Sequence, residues 1–370
     1  MSNSLLLVFI IAFVAISVVS LFKNIPGSYL QKWEFLKLRT LKVNRFVIEK
    51  IGTSSKIDHA IKGSRKLIPI GYVSVISLCL YLFFKHVFSL LPLGIKHSFF
   101  HQGLISVSIA SIYFITIVVV LLNPGVIKKH NVSRVNSHFK NNNLTFFSNK
   151  FCSTCNMIKP ARSKHCSVCD HCVMLFDHHC LWLDKCIGYY NYKWFLAYLF
   201  SNIEFLSYGA YLCYQAIVNQ RPNGRTWSWS IIIDSTLDKT ARTLFLLAVI
   251  YSVITIVFTS FHIRYLYLGV TTNECEKWSD IEYLVDRGLL YQVLDDSAEE
   301  KFVEKCISRN TEDNSYETVF ISLKDERILF DQSTKLPLRK IVSVADELDN
   351  IYDKGFINNA KERFFPIDLG

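Results

Sequence analysis

Seven of the eleven cysteines of this chain lie within residues 152–186, together with four histidines. Thiolates and imidazoles are the ligands that structural zinc prefers, and a closed site takes four of them in a tetrahedron. Two such sites would use eight of these side chains and leave three over. In a reducing compartment a cluster of this kind usually binds metal rather than forming disulfides, so the segment predicts zinc binding.

The spacing within this segment settles only part of the ligand assignment. Cys152 with Cys155, and Cys166 with Cys169, form two CxxC pairs, which are common zinc-binding knuckles. The remaining ligands must come from a larger set of candidates: His165, His171, Cys172, His178, His179, Cys180 and Cys186. The residues alone leave open which member of this set serves which metal.

Long apolar segments surround the cysteine-rich region. Half of the residues are hydrophobic (51%) and only 19% are charged, and a membrane-spanning helix needs ~20 mostly apolar residues. We therefore predict an α-helical integral membrane protein with about five transmembrane helices, over residues 4–22, 67–84, 104–122, 194–217 and 243–262. The first is predicted to be a retained anchor, since it lacks the basic start and the cleavage site of a signal peptide.

The fourth predicted span contains Glu204. An ionisable group within a span is a candidate functional residue by default. A position facing other helices or near the membrane surface is the more ordinary explanation.

The distribution of charge predicts the orientation in the membrane. Residues 1–262 carry 27 Lys and Arg against 9 Asp and Glu, whereas residues 263–370 carry 14 against 22, which excludes a uniformly basic nucleic-acid-binding protein. The excess of positive charge lies in segments 23–66 and 123–193, and such loops stay cytosolic. We predict a lumenal N-terminus, a cytosolic cysteine-rich domain between the third and fourth spans, and a cytosolic tail.

This topology divides the chain into five regions. Residues 1–66 form an anchor and a basic loop, 67–122 the second and third spans, 123–193 the cysteine-rich domain, 194–262 the fourth and fifth spans, and 263–370 the tail. Within the tail, segment 280–349 is polar and shows no informative pattern.

The full cysteine-rich pattern resembles one known family. The run Cys152-x2-Cys155-x9-His165-Cys166-x2-Cys169-x2-Cys172-x4-Asp177-His178-His179-Cys180-x5-Cys186-x4-Asn191 resembles the cysteine-rich domain of the DHHC protein S-acyltransferases, or palmitoyltransferases. Three further motifs agree with the resemblance: Thr271–Glu274 matches the family's TTxE motif, Asn350–Gly355 with Asn359 resembles its C-terminal motif, and Asn123-Pro124-Gly125 stands where many members have Asp-Pro-Gly.

The resemblance implies a ligand assignment that the spacing did not provide. One structural zinc would take Cys152, Cys155, His165 and Cys172, and the other Cys166, Cys169, His179 and Cys186. Asp177, His178 and Cys180 would remain free for catalysis, and His171 would be a spare loop residue. With four protein ligands each, neither zinc would keep an open position for substrate.

The free residues have the chemistry of an acyl-transfer site. A thiol must lose its proton to attack an acyl-CoA thioester; His178 can accept that proton, and Asp177 can orient and stabilise the imidazole. We therefore predict an acyl-enzyme thioester on Cys180, formed from palmitoyl-CoA. Four basic residues are candidates for the CoA phosphates, although solvated positions explain them equally well: Lys159, Arg162, Lys164 and Lys185.

Within the family, the chain is most similar to the fungal enzyme of the endoplasmic reticulum that acylates SNAREs. This implies a multi-pass protein of that membrane whose partners are acyl-CoA, the lipid bilayer and membrane proteins with cysteines at the cytosolic end of a span. Two other functions compete with this one, a zinc-stabilised membrane scaffold without catalysis and a channel or transporter. The scaffold is the stronger of the two, because the predicted spans show neither an internal repeat nor the paired broken helices that are usual in transporters.

Overall fold

The computed structural model describes residues 65, 67–221, 234, 236–295, 298–309, 316–331 and 336–370. The predicted first span, residues 4–22, lies outside the described residues. Within them the helices are α1 (Leu67–Leu82), α2 (Leu93–Lys96), α3 (Phe99–Leu121), α4 (Val132–His138), α5 (Tyr192–Asn219), α6 (Lys239–Tyr267), α7 (Thr272–Asp286), α8 (Val344–Glu347) and α9 (Phe356–Phe364).

Three of these helical segments are long and apolar enough to cross a membrane: Leu67–Leu90, which continues α1 through a π-helical and a 3-10 turn, together with α3 and α6. At 1.5 Å per residue, their 23 to 29 residues exceed the ~30 Å hydrocarbon core of a bilayer. Most of their apolar surface faces outward, as lipid-facing surface does. These helices embed the protein in the membrane.

The predicted fourth span forms helix α5, whose 28 residues contain no stretch as apolar as those of the three candidate spans. It packs against α3 on one side and α6 on the other, and it buries more residues than either. Glu204 lies in α5 and accepts a hydrogen bond of 2.5 Å from Ser108 of α3. Its carboxyl group therefore joins two helices of the bundle.

The cysteine-rich segment folds into three small antiparallel hairpins between α3 and α5. The first pairs β1 (Phe151–Cys152) with β2 (Met157–Ile158), the second β3 (Lys164–Cys166) with β4 (His171–Val173), and the third β5 (His178–Cys180) with β6 (Lys185–Ile187). Each hairpin contains one residue with positive φ: Asn156 (50°), Asp170 (58°) and Asp184 (43°). Asn and Asp tolerate this left-handed conformation better than other residues that carry a Cβ.

The tail segment without an informative pattern contains a five-stranded antiparallel sheet. Its strands are β7 (Leu290–Val293), β8 (Phe302–Arg309), β9 (Tyr316–Ser322), β10 (Ile328–Asp331) and β11 (Leu338–Lys340), in the order β10-β9-β8-β7-β11. Val293, Val303 and Phe320 are buried together on this sheet. A second apolar cluster, which includes Leu290 and Ile281, packs the sheet against α7.

Candidate active site

Each of two groups of four residues brings three sulfurs and one imidazole together, with ligand atoms within 4.8 Å of one another. The first group is Cys152, Cys155, His165 and Cys172, and the second is Cys166, Cys169, His179 and Cys186. The hairpins interleave these groups, because each takes its CxxC pair from one hairpin and its His and last Cys from the next.

The distances within each group fit a tetrahedral zinc ion. With zinc–sulfur and zinc–nitrogen bonds of ~2.3 and ~2.05 Å, a sulfur and a nitrogen of one tetrahedron are ~3.6 Å apart. His165 Nδ1 lies 3.6, 3.3 and 3.9 Å from the sulfurs of its group. His179 Nδ1 lies 3.8, 3.4 and 3.7 Å from the sulfurs of the other.

The other nitrogen of each histidine faces a carboxylate. His165 Nε2 is 3.6 Å from Asp170 Oδ1, and His179 Nε2 is 3.4 Å from Asp184 Oδ1. A carboxylate in this position is characteristic of metal-binding histidines, because it fixes the ring and its tautomer. Both groups therefore have the donors and the outer partners that zinc requires.

The two groups are copies at a fixed interval. Adding 14 to the number of each residue of the first group gives the second, and Asp170 likewise gives Asp184. Cys152, Cys166 and Cys180 occupy corresponding strand positions in the three hairpins. In the third hairpin, Leu183 stands where the second cysteine of a CxxC pair would stand, so Cys180 has no knuckle partner.

Asp177, His178 and Cys180 are adjacent at the third hairpin. His178 Nδ1 is 2.7 Å from Asp177 Oδ2, and the same imidazole interacts with the Cys180 thiol. Because Nδ1 is held by the aspartate, Nε2 is the nitrogen left for the thiol. A cysteine, a histidine and an aspartate in this relation can generate a thiolate nucleophile.

Electrostatics favour the charged forms of the acid and the base. Burial alone would raise the pKa of Asp177, but the His178 hydrogen bond and nearby positive charge outweigh it and hold that pKa well below its usual range. Burial alone would lower the pKa of His178, but hydrogen bonds to Asp177 and Cys180 raise it to about 9. A proton taken from Cys180 is therefore stabilised on the imidazole.

Asp177 is completely enclosed by groups from distant parts of the chain. Thr272 donates from its backbone N to Oδ1 (3.0 Å) and from its hydroxyl to Oδ2 (2.7 Å). Arg363 of α9 lies 3.8 Å from Oδ1, and His262 of α6 lies 4.0 Å from Oδ2. His262 and Arg363 were not singled out from the sequence; only the pattern of the TTxE motif indicated Thr272.

The TTxE motif is fixed by a buried ion pair that the sequence did not indicate. Thr271 and Glu274 form a capping box at the start of α7. Both carboxylate oxygens of Glu274 accept hydrogen bonds from Arg162, at 2.6 and 2.7 Å, and Arg162 also donates to Gly269 O. Removing one partner of such a buried pair typically costs ~3–5 kcal/mol.

This pair changes one expectation from the sequence. Arg162 was a candidate for the CoA phosphates, but its side chain is 1% exposed and its guanidinium group is occupied by Glu274 and Glu362. Arg162 therefore stabilises the fold through these ion pairs and is not available to bind a phosphate group. Lys164 is exposed, and Lys159 and Lys185 are half-buried.

The C-terminal motif packs against the same region. Tyr352 is stacked on the Arg162 guanidinium at 4.6 Å and donates to Lys140 O. Asn359 donates to Asp353 Oδ1 at 2.8 Å, and Asn350 donates to Leu268 O at 3.0 Å. These contacts position α9, and with it Arg363, beside Asp177.

Two asparagines position the ends of the cysteine-rich domain. Asn123 Oδ1 accepts hydrogen bonds from Gly125 N and Val126 N, a role that needs an acceptor oxygen but no charge. Asn191 connects Gly188 N to Cys186 O at the start of α5.

An apolar cluster, most of it from the long helices, lies against Cys180, which is itself buried. Its other buried members are Tyr72, Val119, Leu183, Ile187, Tyr192, Phe195, Leu196, Tyr198 and Leu199. The Cys180 sulfur therefore lies between the polar hairpins and the apolar interior of the helix bundle. Such a junction suits a long-chain acyl thioester, whose polar part needs water and whose chain needs apolar surroundings.

Comparison with known proteins agrees with this chemistry. The model of the DHHC palmitoyltransferase family matches residues 145–279. Palmitoyltransferase SWF1 of Debaryomyces hansenii is 50% identical over 95% of this chain and 94% of its own length. The SWF1 palmitoyltransferases of Candida albicans and Saccharomyces cerevisiae are 47% and 29% identical, over 80% and 96% of this chain and 80% and 97% of their own. The chain thus belongs to the DHHC palmitoyltransferase family and is a protein S-palmitoyltransferase.

Proposed function

We propose that the enzyme transfers palmitate from palmitoyl-CoA to cysteines of membrane proteins in two steps, through a thioester on Cys180. The observation that carries this mechanism is the contact of Cys180 with His178 on its polar side and with the apolar cluster on the other. The resemblance to the SWF1 palmitoyltransferases supports the same class of reaction.

In the first step, the Cys180 thiol gives its proton to His178 Nε2, and its sulfur attacks the carbonyl carbon of palmitoyl-CoA. The carbon–sulfur bond to CoA breaks, and the CoA thiolate takes the proton from His178. Asp177 keeps the imidazole oriented and stabilises its positive charge. The product is palmitoyl-Cys180 and free CoA.

In the second step, the thiol of a substrate cysteine gives its proton to His178 and attacks the same carbonyl. The bond to Cys180 breaks, and Cys180 recovers a proton from His178. One thioester replaces another, so the transfer needs no further energy source.

Zinc supports this chemistry indirectly. The two Cys3His groups are proposed to bind one structural zinc ion each, which would cross-link the three hairpins and fix the strand that carries His178 and Cys180. Because every zinc ligand would come from the protein, no step of the reaction involves the metal.

Purified protein is therefore expected to contain about two zinc ions per chain by elemental analysis. Replacing Cys166 with serine should remove one of them and lower the yield of folded protein, because a structural zinc contributes directly to folding. Cys275→Ser, outside both groups, is the matched control and should keep two. A wild-type content of one zinc or none would contradict the proposed ligand sets.

We further propose that the active site faces the cytosol and that the enzyme resides in the endoplasmic reticulum membrane. The basic segments 23–66 and 123–193 support this orientation. We propose five spans in total: residues 4–22, α1, α3, α5 and α6. The chain is then divided into the five regions given in the sequence analysis.

The position of Cys180 restricts the substrates. Its sulfur is buried at the junction of the hairpins and the helix bundle, so a substrate thiol must come to that level of the membrane. SNAREs with a cysteine at the cytosolic end of their transmembrane helix satisfy this requirement, and we propose them as substrates.

A reconstituted SNARE-type protein with its cysteine at the cytosolic end of the span is expected to accept labelled palmitate. Moving that cysteine about ten residues into the cytosolic region should lower the transfer rate at least tenfold, since the thiol then lies up to ~33 Å from the membrane. The matched control is a substrate that carries both cysteines. The enzyme should transfer labelled palmitate only to the juxtamembrane one. Equal labelling of both positions would contradict the proposed restriction.

A further inference from the structure

A cavity of about 700 Å³, whose lining does not include Cys180, lies between the second zinc group and the ends of α1 and α3. Arg65, Lys128 and Lys185 line it, together with His171 and the single acidic residue Asp184. Asp184 already faces His179 Nε2 at 3.4 Å. Three basic side chains against one engaged carboxylate form a site suited to an anion.

Two nitrogens of this cavity lack hydrogen-bond partners. Arg65 Nε and His171 Nε2 are enclosed, and neither has a partner among the described residues. Buried polar atoms of folded proteins almost always have a partner, and an exception asks for an explanation. An anion in the cavity would lie beside the charged Arg65 side chain rather than at the enclosed Nε, and Lys128 and Lys185 would add charge.

The cavity lies at the level of the membrane surface. Arg65 comes two residues before the start of α1, and Leu121 is the last residue of α3 and lines the cavity. Apolar side chains at this level are open: Leu121, which lines the cavity, is 75% exposed, and Leu67, two residues after Arg65, is 62% exposed. Basic residues beside exposed leucines at this level match the phosphate and the acyl chains of a phospholipid.

We propose that this cavity binds the phosphate group of an anionic phospholipid in the leaflet that faces the zinc hairpins. The phosphate lies among Arg65, Lys128 and Lys185, and the acyl chains run along Leu67 and Leu121. Soluble phosphates share the headgroup's chemistry but have no chain to place on these leucines. That this leaflet is the cytosolic one rests on the function and topology proposed above, whereas lipid binding in the cavity does not.

The test uses the purified full-length protein in neutral detergent, with fluorescent phosphatidic acid as the probe and fluorescence anisotropy as the readout. Lys128→Gln and Arg65→Gln should each weaken binding about tenfold, the loss expected for a hydrogen bond to a charged group. Lys129→Gln removes the same charge from the neighbouring exposed residue, which does not line the cavity, and should bind as wild type does.

Competition identifies the ligand. Unlabelled phosphatidic acid and phosphatidylserine should displace the probe, whereas phosphatidylcholine, inorganic phosphate and CoA at the same concentration should not. Displacement by phosphate or CoA would overturn the assignment to a lipid, and so would equal displacement by phosphatidylcholine. The site itself is wrong if Lys128→Gln and Arg65→Gln both bind as wild type does, or if Lys129→Gln weakens binding equally.

Self-acylation, measured in the same detergent, is the control for folding. Lys128 is exposed and lies outside the site around Cys180, so Lys128→Gln should self-acylate at the wild-type rate while it binds the probe more weakly. Loss of binding accompanied by loss of zinc would overturn the proposal, since it would mean that the substitution had damaged the hairpins. Lipid binding is measured without acyl transfer, so its failure and that of the proposed mechanism are distinguishable.

Discussion

Cys180→Ser protein is expected to lose both self-acylation and palmitate transfer, while it keeps its fold and its zinc. A serine hydroxyl is a far weaker nucleophile at neutral pH, and an ester formed on it would lack the reactivity of a thioester. Cys180 belongs to neither group of potential zinc ligands, and serine is close to cysteine in size. The substitution therefore removes the reacting atom and little else.

The measurement is the incorporation of labelled palmitate from palmitoyl-CoA into the purified enzyme, tested for release by hydroxylamine, alongside zinc content and thermal stability. Cys306→Ser is the matched control, because Cys306 lies on β8 of the tail sheet, remote in the fold from the third hairpin. Transfer by Cys180→Ser at the wild-type rate would refute the mechanism and favour the alternative of a zinc-stabilised membrane scaffold without catalysis. Loss of zinc from this variant would instead make Cys180 a ligand.

The long helices could be predicted because each depends on a local run of apolar residues. The segments predicted at residues 67–84, 104–122 and 243–262 correspond to the candidate spans Leu67–Leu90, Phe99–Leu121 and Lys239–Tyr267. The helix predicted at residues 194–217 is present as α5, but it contains no stretch as apolar as those of the three candidate spans. Its polar groups, such as Glu204, have partners on neighbouring helices that no local pattern shows.

The grouping of the zinc ligands follows from the family resemblance, but a repeat in the sequence also predicts it. The 14-residue interval maps each residue of one group onto the other and is visible in the sequence alone. The same interval aligns Cys180 with Cys152 and Cys166, and it aligns Leu183 with Cys155 and Cys169, so the third hairpin lacks the second cysteine. Reading the repeat would have distinguished Cys180 from the ligands without reference to a family.

Apart from Thr272, which the family's TTxE motif indicated, the surroundings of Asp177 could not be predicted from the sequence, because they depend on distant contacts. Thr272 is 95 residues away in the chain, and Arg162 and Glu274 are 112 residues apart. Arg363 lies on α9, at the far end of the chain, and only packing of that helix brings it to the aspartate. No spacing rule joins residues at such separations, since the fold alone determines which of them meet.

The tail sheet was missed for a different reason. Its strands are short, with three to eight residues, and charged residues interrupt their alternation. Only a few positions, such as Val303 and Val319, are buried, and their apolar neighbours come from other strands or from α7. A weak period-two pattern of this kind does not distinguish a strand from a polar loop.

His178→Ala protein is expected to form the acyl-enzyme about 10²–10⁴-fold more slowly than wild type, although Cys180 is intact. That range is the usual contribution of a general base, and the imidazole here is the group that receives the thiol proton. The defect should narrow as pH rises, because the solvent then removes more of the thiol proton that His178 accepts in the wild-type enzyme. A purely structural loss would not recover with pH.

The rate is best measured by single-turnover labelling of the enzyme between pH 6 and 9, with zinc content determined on the same samples. His130→Ala is the matched control: His130 is exposed in the same loop region and makes no contact with the site, so this variant should keep the wild-type rate and pH profile. A wild-type rate for His178→Ala at pH 7 would exclude His178 as the base. A slow variant that has lost its zinc would instead show that His178 supports the hairpins, because its neighbour His179 is a candidate ligand. A low rate at pH 7, recovery toward pH 9 and unchanged zinc together would identify His178 as the residue that activates Cys180.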